Sequence, residues 1–259
     1  MKSKKLLFGL ILIAIVLGGL GAGATYLTLS LRERKIQDNF DLARTWLDER
    51  DYEQADKAID ALVERGRGKE SWYPAALALQ LEFHRVQQRE AEQRGDAAAA
   101  EHAREARAVA RTILEPARGY AGPAVIDARG YLGWSALEED NDAKTATEHF
   151  EKAIEMAGRE SPGADLARLG LARIQMASAG VSPEVRDELL ALLKTFPDSR
   201  YRPEIEHVLG ICNIEMLFSR RQFPGDAIYP VGDGDTIYRI AKEHDIPQDL
   251  LLRVNGMSE

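Results

Sequence analysis

The sequence predicts a mainly α protein made of an N-terminal transmembrane helix, an α-solenoid and a small C-terminal βαα(β) module. Three observations carry this prediction. An uncharged apolar run opens the chain; the middle reads as amphipathic helices cut by short turns; and after residue 223 the pattern switches to a strand, a glycine-rich turn and two short helices. The corresponding segments are 1–35, 36–222 and 228–259. Of the 259 residues 45% are hydrophobic and 29% charged, enough apolar content for folded cores.

The first element follows Lys2, Lys4 and Lys5. Leu6 to Leu31 is a run of 26 residues without a charge, rich in Leu, Ile, Val, Gly and Ala. As a helix it would extend about 39 Å, more than the hydrocarbon thickness of about 30 Å. A cleaved signal peptide is the competing reading, because Ala22-Gly23-Ala24 has the small–x–small pattern of a cleavage site behind a basic start. Apolar character continues past that site through Tyr26, Leu27, Leu29 and Leu31, which favours the retained anchor. No Cys follows the run directly, which excludes a lipoprotein anchor. Basic residues flank both ends, so orientation is not set by charge.

From Ile36 to about Arg220 the chain is rich in Ala, Leu, Glu and Arg, with helical periodicity throughout. Gly66-Arg67-Gly68, Gly95-Asp96, Pro116 to Pro123, Asp140-Asn141-Asp142, Gly158 to Pro162, Gly180 to Pro183 and Pro197-Asp198-Ser199 break it into helices with short connections. The pieces resemble one another. Asp51-Tyr52-Glu53-Gln54-Ala55 leads into Lys57-Ala58-Ile59, Ala146 to Phe150 leads into Glu151 to Glu155, and Glu188 to Leu193 runs into Pro197. Small residues such as Ala55, Ala58, Ala146 and Ala153 permit close helix approach. About four helix pairs and a closing helix near 203–219 are expected.

Leu132-Gly133 ahead of Ala146, Phe150 and Ala153 resembles the tetratricopeptide repeat, with one extra residue near Asp140-Asn141. Leu169-Gly170, Leu209-Gly210 and Pro197 echo the same pattern, and 72–115 departs from it. The resemblance implies a solenoid with a groove for a protein partner; a spacer that holds two ends apart is the equal alternative. Trp46, Trp72 and Trp134 read as packing residues rather than docking sites.

After Phe223-Pro224-Gly225, Tyr229-Pro230-Val231 alternates like a short strand. Gly232 to Asp235 is a turn, and Asp235 or Thr236 can cap a helix through Lys242. Asp245-Ile246-Pro247 breaks that helix, Gln248 to Val254 forms a second, and Asn255-Gly256 turns the chain. Tyr229, Val231, Gly234-Asp235-Thr236-Ile237, Ile240-Ala241, Ile246, Leu251 and Asn255-Gly256-Met257 together resemble the LysM module. The resemblance implies a βααβ fold that binds N-acetylglucosamine-containing glycan, chiefly peptidoglycan in bacteria and chitin elsewhere. It also implies a shallow groove formed by Gly234, Asp235, Thr236 and Ile237 with Asn255, Gly256 and Met257. Two roles stay open for the side chains of Asp235, Thr236 and Asn255: ligand contacts, or caps and turns with the backbone doing the binding. The family's closing strand would lie beyond Glu259, which reads as a truncated chain or an incomplete module. A cell-wall enzyme domain beyond that point, such as an L,D-transpeptidase or hydrolase, is the alternative function.

Other chemistry finds no support. A single Cys excludes internal disulfides and multi-Cys metal sites, and Cys212 sits in an apolar helix as a structural thiol. His84, His102, His149, His207 and His244 lack metal-ligand spacing and read as solvated helix faces. No phosphate loop or dinucleotide fingerprint occurs, so neither catalytic residues nor a cofactor nor a metal is expected. Residues 1–35 hold six basic side chains and one acidic; the remainder has 28 basic and 41 acidic, a net of −13. That balance repels phosphate backbones and disfavours nucleic acid as a partner. The expected protein is a bacterial envelope protein, single-pass in the cytoplasmic membrane, with its soluble part periplasmic on peptidoglycan.

Overall fold

A computed structural model describes residues 33–67, 71–219 and 221–257. The described chain is mainly helical and divides into two compact units, one ending at Ala124 and one beginning at Val125.

The first unit contains the helical residues 33–48 (α1), α2 (Tyr52–Gly66), α3 (Tyr73–Arg94), α4 (Ala98–Ile113) and a 3-10 turn at Pro116–Arg118. Asp51 starts α2 by accepting the Gln54 N–H at 3.3 Å, which satisfies one orphan donor of the first turn. Pro74 occupies the first turn of α3, where it costs no helical hydrogen bond, and Gly95 ends that helix at φ +65°. α3 packs against α2 and α4, and fully buried Ala55, Ala76, Ala106 and Ala110 let the backbones come close. Burial, and then the hydrogen bond its hydroxyl donates to Glu90 at 2.5 Å, push the Tyr52 phenol up to about 12.

The second unit contains α5 (Pro123–Glu138), whose first turn carries the division, α6 (Ala143–Ala157), α7 (Ala164–Ala179), α8 (Pro183–Thr195) and α9 (Arg202–Phe218). Asp142 caps α6 and Ser182 caps α8. The Phe150 ring of α6 is fully buried between α5 and α7. A Cβ on Gly133 would lie 2.5 Å from this ring, and one on Gly170 closer still. Glycine is therefore required at both positions by the approach of an aromatic ring. A second core joins α7, α8 and α9 through Leu169, Val185, Leu189, Leu192, Ile205 and Cys212. Beside it the Arg168 guanidinium, 5% exposed, donates to Glu188 at 2.7 Å and to the Arg159 carbonyl at 3.1 Å. The unit ends in α10 (Ile237–Glu243) and α11 (Gln248–Val254), which pack on each other.

Three sequence expectations need correction. No helix among the described residues is long and apolar enough to cross a membrane, so the fold class of the described chain is mainly helical and the N-terminal transmembrane helix is not supported. The segment assigned to that helix, residues 6–31, lies outside the described residues. The strand expected at Tyr229-Pro230-Val231 is irregular: a strand needs a ladder partner, and no second strand stands beside it among the described residues. The histidines are not uniformly solvated either. His84, His102 and His149 are partly buried, with buried Nδ1 atoms that lack a hydrogen-bond partner, whereas His207 and His244 are exposed. The first two lie on facing helices, α3 and α4, with ring centroids 5.9 Å apart. Cys212 is buried as expected, and burial pushes its thiol up.

Candidate functional site

The C-terminal two-helix region is organised by one carboxylate. Asp235 folds back over its own turn, accepting the Gly232 N–H at 2.7 Å and the Tyr229 hydroxyl at 3.2 Å. Its other oxygen pairs with Arg239, one helical turn along. With its side chain 6% exposed, Asp235 is enclosed by these partners. Gly234 completes the turn at φ +86°, in the left-handed region that favours glycine.

Thr236 follows in an extended conformation and caps α10, its Oγ1 accepting the Arg239 N–H at 3.2 Å. Ile237 opens the helix and is half-buried, while Ile240 and Ala241 turn inward. Tyr229 is tied twice, through its hydroxyl to Asp235 and through its ring, edge-on to His244 at 5.5 Å. These contacts hold the 229–232 segment where a strand ladder was expected.

Both short helices end in the same way. After α10 the Ile246 N–H bonds the Ala241 carbonyl at 2.9 Å, with Asp245 at φ +53°. After α11 the Met257 N–H bonds the Leu252 carbonyl at 2.9 Å and the Gly256 N–H bonds that of Arg253 at 3.1 Å, with Gly256 at φ +65°. This is the Schellman arrangement, in which a left-handed residue lets two trailing N–H groups close the last carbonyls. The Asn255 amide adds a bond to the Leu251 carbonyl at 2.8 Å.

The side chains of Asp235, Thr236 and Asn255 are each engaged in local caps and turns. Gly234, Asp235, Thr236 and Ile237 are gathered at the start of α10, and Asn255, Gly256 and Met257 at the end of α11, on two helices that pack together. No hydrogen bond or ion pair joins the two loops among the described residues. Gly234, Gly256 and Met257 are exposed. The sequence reading missed Arg239, although its four-residue spacing from Asp235 on a helix was the available signal.

The family model of the LysM domain matches residues 229–259. These residues are a LysM domain. No curated protein and no solved structure matches the chain. The LysM domain indicates binding of N-acetylglucosamine-containing glycan such as peptidoglycan. Next to it, Arg253 of the LysM domain lies over the Phe218 ring at the end of α9, 5.5 Å from its centroid.

Proposed function

We propose that this is a cell-envelope protein that holds peptidoglycan through its LysM domain and displays a tetratricopeptide-like helical region as a protein-interaction surface or spacer. The LysM match at 229–259 is the observation that carries the proposal. The glycan groove comprises Gly234, Asp235, Thr236 and Ile237 on one side and Asn255, Gly256 and Met257 on the other. With the polar side chains engaged locally, main-chain N–H and C=O groups recognise acetamido and hydroxyl groups, and Ile237 and Met257 supply apolar contact to sugar faces. The soluble part works in the periplasm, where peptidoglycan lies. The close fit of Phe150 between Gly133 and Gly170 supports the tetratricopeptide-like reading of the helix pairs.

Sedimentation of the full chain with purified sacculi tests the glycan proposal, with chitotetraose as competitor. The chain is expected in the pellet and released by the competitor. Gly234→Val, which forces a β-branched residue to φ +86°, is expected to weaken retention by at least about tenfold. A wild-type chain that stays in the supernatant overturns the proposal.

A further inference from the structure

A groove of about 280 Å³ lies between α1 and α2 in the first unit. Leu42 and Trp46 give it an apolar side, and Asn39, Gln54, Lys57 and Arg65 give it polar donors. Leu42 is exposed and Trp46 half-exposed, so this tryptophan borders an open groove. Among the described residues no carboxylate lines the groove, in a chain whose net charge is −8. Lys57 is paired with Glu53 at 2.5 Å, but both side chains are well exposed, so solvent screens the pair and an incoming anion can share the ammonium. Arg65 makes no ion pair among the described residues.

The spacing suggests the ligand. Lys57 and Arg65 stand eight residues apart on one helix, about 12 Å along its axis. An extended peptide covers that distance in about four residues, at roughly 3.3 Å each. The volume is at the small end for ligand sites, suited to a short branch rather than a docked helix.

We propose that the α1–α2 groove binds the stem peptide of peptidoglycan. Its carboxylates sit on Lys57 and Arg65, its alanyl methyl groups against Trp46 and Leu42, and its amides on Asn39 and Gln54. The proposal rests on the glycan reading above, because the ligand is the peptide branch of the same polymer. A weak second site suffices there, since a polymer held by the LysM domain presents its stem peptides at high effective concentration.

The test is titration of the full chain with free stem tetrapeptide, and separately with chitotetraose, while following the tryptophan indole NMR signals. Trp46→Phe assigns the relevant signal. Stem peptide is expected to shift the Trp46 signal and chitotetraose to leave it in place. The paired change Lys57→Gln with Arg65→Gln is expected to weaken stem-peptide binding by at least about tenfold, leaving chitotetraose affinity and helical circular dichroism unchanged. Three results overturn the proposal: no Trp46 shift with stem peptide, an affinity indifferent to the paired change, or equal binding of an all-L acidic tetrapeptide, which would make a protein segment the occupant. The chitotetraose titration reports separately on the glycan reading, so failure of one is distinguishable from failure of the other.

Discussion

Gly170 and Gly210 both lie inside helices, yet alanine is expected to act on them in opposite directions. Removing a helical glycine ordinarily stabilises by up to about 1 kcal/mol, because alanine loses less backbone entropy on folding. At Gly210 an added methyl group meets nothing within 4 Å, so that gain should be realised. At Gly170 the methyl group collides with the Phe150 ring, which cannot retreat because Gly133 bounds it across the core. Overpacking of this kind costs about 1–3 kcal/mol, so the net effect of Gly170→Ala is a loss of up to about 2 kcal/mol. Urea denaturation at unchanged m-value reads the two shifts directly. Gly210→Ala should raise the midpoint and Gly170→Ala lower it, and Phe150→Leu should lessen the Gly170→Ala penalty by opening space for the methyl group. If Gly170→Ala raises the midpoint as much as Gly210→Ala does, the ring is not held between two glycines and the packing argument fails.

Asp235→Ala removes the acceptor shared by Gly232, Tyr229 and Arg239, so chitotetraose affinity should fall by about tenfold or more. The amide of Gly232 should then exchange faster while the helical signal stays constant. Arg168→Met strips Glu188 of its best-buried partner; because Glu188 is itself a quarter exposed, the expected cost is about 1–3 kcal/mol, below that of breaking a fully buried pair. Burial alone would raise the Glu188 pKa, but Arg168 and then Arg159 hold it below the usual carboxylate range. This contribution is therefore present above the ordinary glutamate value and lost as pH falls through the lowered one. Burial, and then the charge of His102, hold His84 below the ordinary histidine value, against the opposing pull of Glu105 from α4 and Asp56 from α2. A depressed histidine stabilises the fold fully above about pH 6.5 and less as pH falls, so denaturation midpoints measured between pH 7 and pH 5 should decline, and His84→Gln should flatten that decline. An unchanged slope in that variant would refute the assignment.

Breaks, and the cap at Thr236, were the most legible features of the sequence, because they depend on residues next to one another; the other caps emerge from the structure. Asp51, Asp142, Ser182 and Thr236 each cap the helix that follows. The Gly133, Ala146, Phe150 and Ala153 pattern was also visible, since a small residue facing a large one has a spacing that survives in one dimension. The environment of His84 was not visible: its sequence neighbours are charged, and only the partner helix determines that its ring meets His102. The strand at Tyr229-Pro230-Val231 failed for a related reason, because alternation describes one strand and a ladder needs two. At the candidate glycan site the loops were legible, while the engagement of Asp235 with Arg239 and Tyr229 depended on how the turn closes.

The local engagement of the side chains at 235, 236 and 255 has a consequence for a glycan held as proposed. In that proposal the glycan meets peptide units, which present the same donors and acceptors whichever amino acid supplies them. Such a surface tolerates wide exchange of its side chains while keeping one chemical pattern. Its vulnerability lies in the angles of a few turns, where a single unsuitable residue would erase what many ordinary replacements leave intact.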